Sequence, residues 1–348
     1  MLLRNLMPRN VWYVAAWSSQ LVAGEPLGRR ICGQSLVLYR AGDGSPAALE
    51  DRCIHRGMPL SNGGEVDGDL IRCPYHGLEF DASGVCVRMP GQQHVPDATR
   101  IRSFRVVERD AMIWVWPGDQ TLADPEGIPK HPHHTDPDWQ WTSIFLEIAC
   151  NWEMLNDNLL DLTHLGYVHK RTIGGDPNAH AGAEMKTTQT GNSVHVRRWI
   201  PNSEPPPHYK AGHAFAGKID RWQEIDFVPG LLRLYTGGMD VGTGAYDGRR
   251  TGGVQFMGMH GVTPSTATSC YYFFSQARNF RLHEPDLEAK LHDNALATLL
   301  EDKSVLEAQQ ARLLEEPGRG NIDMRTDAGG LHARRIIERL YQGTIFPS

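Results

Sequence analysis

Two short segments of the chain each place a cysteine beside a histidine, and together they offer four metal-binding side chains. The first segment reads Cys53-Ile54-His55 and the second reads Cys73-Pro74-Tyr75-His76. Thiolate sulfur and imidazole nitrogen bind soft and borderline metals. This part of the chain must therefore fold so that two separate loops meet at one point.

The order of these ligands separates zinc from iron–sulfur chemistry. A zinc finger usually pairs two cysteines in one knuckle and two histidines in another, whereas here each loop carries one of each. The arrangement favours a [2Fe–2S] centre in which Cys53 and Cys73 bind one iron and His55 and His76 bind the other, as in Rieske centres. A zinc knuckle, or two unrelated loops, is the alternative.

Length and charge limit the remaining possibilities. The chain has 348 residues, enough for two domains with sizeable cores, and its 40% hydrophobic and 22% charged residues are ordinary for a globular protein. A formal charge of −6 gives no electrostatic footprint for nucleic acid or an anionic membrane. We therefore expect neither as a partner.

The other four cysteines are widely spaced, at Cys32, Cys86, Cys150 and Cys270. A disulfide framework would be unusual with so few cysteines in so long a chain, so the pattern indicates buried thiols in a reducing compartment. The sequence shows neither a cleavable signal segment nor a run of about 18 apolar residues. We expect a cytoplasmic protein.

The pattern of secondary structure predicts an α+β chain in two domains. Many short strands separated by glycine turns predict an antiparallel β domain over residues 1–119. A Pro-, Asp- and His-rich linker follows over 120–140, in which His131, His133 and His134 are expected to be solvated. The second domain, 141–348, should contain a central antiparallel sheet over about 185–274, a mobile glycine-rich loop at 237–253, and a long helix over about 284–315.

A second group of possible ligands lies in the second domain. Asp161, His164 and His169 follow one another on a leucine-rich helical segment, but histidines five residues apart diverge by about 140° on a regular helix. Their convergence requires an irregular turn, for which Gly166 or a π-bulge would serve. Asp302 lies on the apolar stripe of the long helix and would complete two histidines and one carboxylate, the ligand set of mononuclear non-haem iron. A salt bridge, or Glu301 as the ligand, is the alternative.

With both motifs, nearly the whole chain resembles the catalytic subunit of the Rieske non-haem iron oxygenases. The respiratory Rieske branch has additional cysteines where this chain has Met58 and Tyr75. Within the oxygenases the chain is most similar to the aromatic O-demethylases that act on vanillate and dicamba. The matching segments are residues 10–15, 26–33, 73–80, 89–92, 114–119, 157–169, 278–280 and 327–339. The resemblance implies a helix-grip-like catalytic domain.

The resemblance also assigns roles to residues. It makes Cys53, His55, Cys73 and His76 the cluster ligands, and it makes His164, His169 and Asp302 the iron ligands. Asp161 matches the acid that links the two centres, and Asn158 matches a polar neighbour of the iron. The family forms head-to-tail homotrimers in which His76 of one subunit faces Asp161 of the next, while Asp161 holds His164.

The implied reaction consumes O2 and electrons from NAD(P)H, which a separate flavin and iron–sulfur reductase delivers. A methyl carbon of an aryl ether is hydroxylated, and the hemiacetal collapses to a phenol and formaldehyde. Arg233 and His260 are candidate contacts for an aromatic acid, and His260 matches a substrate-contacting histidine of the dicamba enzyme. The segment 201–217 departs from the demethylases, which leaves the particular methoxylated acid open.

Two alternatives to demethylation follow from the same residues. An oxygenase of this kind can instead hydroxylate an aromatic ring or a benzylic methyl group, including that of a toluene carboxylate or sulfonate. The other alternative, from a different class, is an electron carrier without catalytic iron. His164, His169 and Asp302 argue against the carrier.

Overall fold

The structure is a computed structural model, and residues 5–343 are described. The chain forms two compact units, one made chiefly of Met7–Lys130 and the other of His131–Val262 with Ala267–Arg339. The predicted α+β class, with antiparallel sheets in both parts and one long C-terminal helix, is confirmed. The predicted domain bounds of 1–119, 120–140 and 141–348 stay predictions.

The first unit consists of three small antiparallel sheets. Their strand orders are β1-β10-β9, β2-β3-β4 and β5-β6-β7-β8. Short strands joined by glycine turns suit such sheets, because each turn needs a backbone conformation that glycine adopts easily. The strands are β1 Tyr13–Trp17, β2 Leu27–Ile31, β3 Gln34–Arg40, β4 Pro46–Glu50, β5 Glu65–Asp67, β6 Leu70–Arg72, β7 Glu79–Phe80, β8 Cys86–Arg88, β9 Arg105–Arg109 and β10 Met112–Trp116.

The second unit is built on one seven-stranded sheet with the order β11-β17-β16-β15-β14-β13-β12. Its middle strands alternate between residues that face a helix layer and residues that face away, as the two-residue period of a strand requires. The strands are β11 Gln140–Ile148, β12 Glu184–Thr190, β13 Ser193–Ser203, β14 Ile219–Val228, β15 Leu231–Asp240, β16 Val254–Thr266 and β17 Ser269–Arg278.

The helices of the second unit are α1 Trp152–Leu160, α2 Leu165–Val168, α3 Pro177–Ala181, α4 Pro207–Gly212, α5 Pro285–Glu315 and α6 Ala328–Gln342. Helix α5 is the predicted long helix. It begins with proline at its first position and ends just before Pro317-Gly318, as helix start and stop signals require. Its buried face contains Leu291, Leu299, Leu306 and, among them, Asp302.

The histidines of the predicted linker are not solvated as expected. His131 is fully buried and His134 is nearly so. His134 stacks on Trp141, with 4.0 Å between ring centroids, and its Nε2 lies 2.7 Å from Ser275 Oγ. The polar composition of the segment therefore misled the prediction, because these imidazoles pack against the sheet.

The remaining expectations about the chain have mixed outcomes. The prediction of a loop over 237–253 is wrong at its start, because Gly237 and Gly238 belong to β15. All six cysteines, including the four outside the metal-binding motifs, are buried free thiols. Among residues 5–343, no helix is both long and apolar enough to cross a bilayer.

Candidate metal centres and active-site cavity

The two Cys/His loops of the first unit have the same backbone geometry. The N–H of Cys53 donates to Met58 O at 2.8 Å, and the N–H of Gly57 donates to Cys53 O at 2.9 Å. The same two bonds recur at Cys73 with the residues five and four positions after it, at 2.8 and 3.0 Å. Gly57 and Gly77 have φ values of +71° and +72°, which glycine adopts without steric cost. Each glycine therefore closes the turn that presents its cysteine.

The cysteines and histidines of the two loops differ in their exposure to solvent. Cys53 and Cys73 are 1% and 2% exposed and belong to one hydrophobic cluster, whereas His55 and His76 are exposed. The two imidazoles lie edge to face with centroids 4.5 Å apart. This arrangement fits a cluster whose sulfur-bound iron is buried and whose imidazole-bound iron lies at the surface.

The environment of Cys53 also suits a metal-bound thiolate. Burial raises the pKa of the Cys53 thiol to about 11, while the backbone N–H groups of His55 and Arg56 lower it. These N–H groups favour the charged sulfur that a metal requires. The donor set and its surroundings therefore fit a [2Fe–2S] cluster.

In the second unit, the segment with the two histidines is broken at Asp161. This residue leaves the helical conformation at φ −116° and ψ 101°, and its carboxylate accepts bonds from Thr163 N at 2.9 Å and Thr163 Oγ1 at 2.8 Å. A 3-10 turn over Leu162–His164 then leads into α2. Asp161 precedes both histidines, so the irregularity between them lies further on: His164 ends the 3-10 turn, and His169 lies just past the end of α2 at φ −103° and ψ 33°. Helix α2 continues through Gly166, so neither Gly166 nor a π-bulge supplies the irregular turn. Gly166 instead permits close packing, since a Cβ there would lie 2.5 Å from Pro177 Cα.

The 3-10 turn and the short helix α2 bring His164 and His169 together with Asp302 of α5. Their nearest nitrogen and oxygen atoms all lie within 4.8 Å of one another. Asp302 Oδ1 is 3.5 Å from His164 Nε2 and 3.1 Å from His169 Nε2. These are two imidazole nitrogens and one carboxylate oxygen converging from three directions, which fits a mononuclear iron site with open positions. Asn158 Nδ2 donates to Asp302 Oδ1 at 3.0 Å, so the predicted polar neighbour lies beside the acid.

Each histidine is oriented by a hydrogen bond at its other nitrogen. His164 Nδ1 lies 2.7 Å from the backbone oxygen of Asp161. The expected contact with the Asp161 carboxylate of the same chain is therefore wrong. His169 Nδ1 lies 2.7 Å from Glu301 Oε2. Both contacts leave Nε2 for a metal. This role of Glu301 was not predicted, although Glu301 directly precedes Asp302 in the sequence.

The protonation tendencies of the two histidines differ. Burial lowers the pKa of His164, although Asp302 opposes it. Burial also disfavours His169 imidazolium, but Asp302 and Glu301 outweigh that effect and raise its pKa. The carboxylates thus surround His169 with negative charge, which suits binding of a cation between the rings.

A cavity lies between the sheet and α5 and reaches the three converging side chains. It encloses about 930 Å³ of space not filled by atoms, part of which is open to solvent. Its wall is largely apolar. The inner-face residues of the strands include Arg221, Gln223, Ile225, Leu232, Leu234, Thr236, His260, Tyr272 and Phe274, and the helical residues include Leu291, Asn294, Ala295, Thr298, Leu299 and Asp302.

The two predicted substrate contacts have different positions. His260 lines the cavity, is 6% exposed, and places Nδ1 2.6 Å from Tyr272 Oη. Burial lowers the pKa of His260 to about 4, so it is a neutral imidazole at physiological pH. Arg233 does not line the cavity. Because Leu232 and Leu234 face inward, Arg233 points to the other face of β15, where it lies 3.7 Å from Asp226 Oδ2.

The arginine that does reach the cavity is Arg221 on β14, which was not among the predicted substrate contacts. A signal was present, because the residues Asp220, Glu224 and Asp226 mark the outer face of this strand and leave Arg221 inward. The same alternation on β15 would have turned Arg233 outward.

Comparison with known proteins finds a family match in each half of the chain. Residues 11–105 match the Rieske [2Fe-2S] domain, and residues 148–343 match the vanillate O-demethylase oxygenase C-terminal domain. The chain is 39% identical to the toluene-4-sulfonate monooxygenase system iron-sulfur subunit of Comamonas testosteroni, over 95% of this chain and 96% of that protein. It is 38% identical to the vanillate O-demethylase oxygenase subunit of Pseudomonas sp. strain HR199, over 96% and 95%.

The crystal structure of dicamba monooxygenase bound to 3,6-dichlorosalicylic acid superposes with a TM-score of 0.89 at 35% identity, covering 97% of this chain and 98% of that one. The enzyme therefore carries a Rieske [2Fe–2S] cluster and a mononuclear iron, and it acts as a monooxygenase component that depends on a separate reductase. The electron-carrier alternative is thereby excluded. The chain belongs to the Rieske non-haem iron oxygenases, in the group that carries a vanillate O-demethylase-type catalytic domain.

Proposed function

We propose that this oxygenase O-demethylates a methoxylated aromatic acid similar to vanillate or isovanillate and releases formaldehyde and a phenol. The observation that carries the proposal is the convergence of His164, His169 and Asp302 on the wall of a largely apolar cavity. Transfer of an aromatic ring from water into such a cavity lowers the free energy. A methyl group held near the three side chains is then placed for oxidation. Relatives of nearly equal length are named as vanillate and dicamba O-demethylases.

In this proposal, Cys53, Cys73, His55 and His76 hold the cluster, and His164, His169 and Asp302 hold the iron. When bound, the iron supplies activation of O2 with electrons that arrive through the cluster. Per formaldehyde released, the overall reaction consumes one O2 and one NAD(P)H and forms one water.

The protein's own groups orient the substrate and limit access of water. Asn158 donates to Asp302 and holds the carboxylate in place. Tyr272 occupies Nδ1 of His260, so Nε2 of this neutral ring is the atom left to bond an oxygen of the substrate. The apolar side chains of α5, among them Leu291 and Leu299, keep the methyl end of the cavity dry.

We further propose that the chain forms a homotrimer in which His76 of one subunit faces Asp161 of the next. His76 is exposed, and Asp161 is partly exposed beside His164, so both side chains are accessible to a neighbouring chain. Light scattering coupled to size-exclusion chromatography tests the assembly. The cytoplasmic location stays a prediction.

The test of the reaction is a turnover assay with purified protein, a reductase, NADH and O2 over vanillate, isovanillate, veratrate and methoxybenzoates. Formaldehyde should form in step with NADH oxidation. His164→Ala and Asp302→Ala should abolish formaldehyde and reduce the iron content from three to two per chain while the cluster absorbance remains. O2 uptake without formaldehyde for every methoxylated acid would reject demethylation.

Oxidation of a benzylic methyl group is the second candidate. Two relatives that are 39% identical over nearly the whole chain are named as toluene-4-sulfonate monooxygenase subunits, one of them a putative one. The same cavity would hold an aryl methyl group in place of an aryl ether. Toluene-4-sulfonate and 4-toluate belong in the same assay, because a benzyl alcohol product formed without formaldehyde separates the two reactions.

A further inference from the structure

We propose that Arg221, assisted by Gln223, is the anion-binding end of the cavity and anchors the carboxylate or sulfonate of the substrate. The inference rests on the proposed action on an aromatic acid, and it names the group that recognises the acid. Both side chains project from β14 into the cavity. The anchor thus lies on the inner face of the sheet, not at the half-buried Arg233 on the other face.

Arg221 is a buried cation whose contacts carry no negative charge. It is 4% exposed, and it donates to Gly174 O at 3.0 Å and to Ile173 O at 3.2 Å. Its guanidinium carbon lies 5.1 Å from the ring centroid of Tyr209, and its Nε has no hydrogen-bond partner within residues 5–343. A guanidinium has five N–H donors, so these contacts leave part of its bonding capacity unused.

The charges around the cavity do not balance. Asp302 is the only carboxylate in the cavity wall that the structure describes, and it faces His164 and His169. No carboxylate of residues 5–343 lies within ion-pair distance of Arg221. Burial of an unpaired charge is costly, and an anionic ligand would remove that cost.

A second buried arginine strengthens the positive end. Arg198 is 1% exposed and donates from Nη1 to Gln223 Oε1 at 3.4 Å, which turns the amide so that its N–H donors remain for a ligand. Burial lowers the pKa of Arg198 to about 10, with Asp161 opposing the effect and Arg221 adding to it, so Arg198 stays charged at neutral pH. The nearby His180 is affected by both arginines: burial lowers its pKa, and the charges of Arg221 and Arg198 lower it further, to about 4.

This chemistry selects planar or tetrahedral oxoanions attached to an aromatic ring. The fork of a guanidinium matches two oxygens of a carboxylate or a sulfonate. Apolar side chains such as Ile225, Leu234 and Phe274 line the same cavity and suit the ring. A methoxybenzoate and a toluenesulfonate share these features, each with a methyl group remote from the anion.

The test compares anionic ligands with neutral ligands of the same shape. Calorimetry on the oxidised, iron-loaded enzyme without reductase measures binding of 4-methoxybenzoate against 4-methoxybenzamide, and of toluene-4-sulfonate against toluene-4-sulfonamide. The wild type should bind its preferred acid about 10- to 100-fold tighter than the neutral partner, as expected for a charged hydrogen bond. Which acid shows the larger ratio distinguishes carboxylate from sulfonate.

Substitutions then locate the anchor. Arg221→Gln should bring the acid-to-neutral ratio close to one, Arg221→Lys should retain part of it, and Gln223→Leu should lower it several-fold. Arg197→Gln is the control. Arg197 lies on the outer face of the sheet and pairs with Glu184, so this variant removes a positive charge away from the cavity and should preserve the ratio.

Three outcomes would overturn the assignment. Equal binding of acid and amide by the wild type rejects it without any variant, which matters if Arg221→Gln does not fold. An unchanged ratio in a folded Arg221→Gln enzyme makes Arg221 a structural support of the Gly174 loop. Loss of the ratio on Arg233→Gln alone moves the anchor to the other face. Because binding is measured apart from formaldehyde, failure of the anchor and failure of demethylation are distinguishable.

Discussion

His169 is held between two consecutive acids of helix α5: its Nδ1 lies 2.7 Å from Glu301 Oε2 and its Nε2 lies 3.1 Å from Asp302 Oδ1. Thr172 Oγ1 also donates to Glu301 Oε2, at 3.0 Å. An imidazole that donates from Nδ1 to a carboxylate presents Nε2 as its metal-binding atom. Glu301 thus fixes the tautomer of His169, while Asp302 lies where a second ligand of the same metal ion would lie.

We expect Glu301→Ala to weaken binding of the mononuclear iron by about 10- to 100-fold, because the ring loses the bond that orients it. Glu301→Gln should lose less, since its amide oxygen still accepts a hydrogen bond from Nδ1. Iron content after dialysis against graded chelator measures the affinity. Asp293→Asn, an exposed acid on the same helix, is the control and should match the wild type. Full iron retention by Glu301→Ala would show that packing alone positions His169.

The sequence predicted which side chains lie together in the cluster loops and at the three converging ligands, but it did not predict the groups that support them. Spacing of cysteine and histidine identifies the cluster loops, and an acid on an apolar helical stripe identifies Asp302, because both patterns are local. The contact of Glu301 with His169 depends on the 3-10 turn over Leu162–His164 and on the end of α2 at Val168, which a regular helical pattern does not indicate. Strand alternation indicates that Arg221 faces inward, but the other wall of the cavity comes from α5, more than sixty positions later.

Asp161 has an observed structural role, as the cap of the turn, and a proposed role in electron transfer between subunits; one substitution can tell the two roles apart. Its carboxylate caps the turn at Thr163, and asparagine caps about as well as aspartate. We therefore expect Asp161→Asn to keep iron content and melting temperature, while NADH-dependent turnover falls at least about tenfold, in the range seen when groups around a metal are altered. Stopped-flow reoxidation of the reduced cluster in the presence of substrate and O2 measures the step. Unchanged reoxidation would restrict Asp161 to the cap.

The glycines of the two cluster loops provide a matched pair. Both have positive φ, so alanine at either position costs about 1–2 kcal/mol from the left-handed backbone. A Cβ on Gly57 would have its nearest contact at 3.5 Å, on the flexible Arg52, whereas one on Gly77 would lie 3.1 Å from Pro90 Cγ. We expect Gly77→Ala to lower the melting temperature and the cluster occupancy more than Gly57→Ala. Thermal unfolding followed at the visible absorbance of the cluster ranks the two, and the reverse order would contradict this account.

His180 connects the stability of the protein to pH through the loop that holds Arg221. Its ring is 2% exposed, and its Nε2 lies 3.0 Å from Gly174 O, which also accepts a bond from Arg221. Burial, with the charges of Arg221 and Arg198, lowers its pKa to about 4 from 6.5. Below pH 6.5 the unfolded chain therefore takes up a proton that the folded chain refuses, and stability falls until about pH 4.

The size of this effect is about 1.4 kcal/mol per pH unit for one such histidine. His180→Gln keeps a donor for Gly174 O but cannot take up a proton. At pH 7.5 we expect the variant to be less stable than the wild type, and the difference should shrink by about that amount per unit as the pH falls from 6.5 toward 4. Urea unfolding of both iron-loaded proteins at several pH values measures the difference in their free energies of unfolding. Because both proteins have the same metal ligands, the acid sensitivity of those ligands cancels in the difference. A difference independent of pH would mean that His180 takes up a proton as readily in the folded protein as in the unfolded chain, and it would contradict the lowering of its pKa by burial and by Arg221 and Arg198.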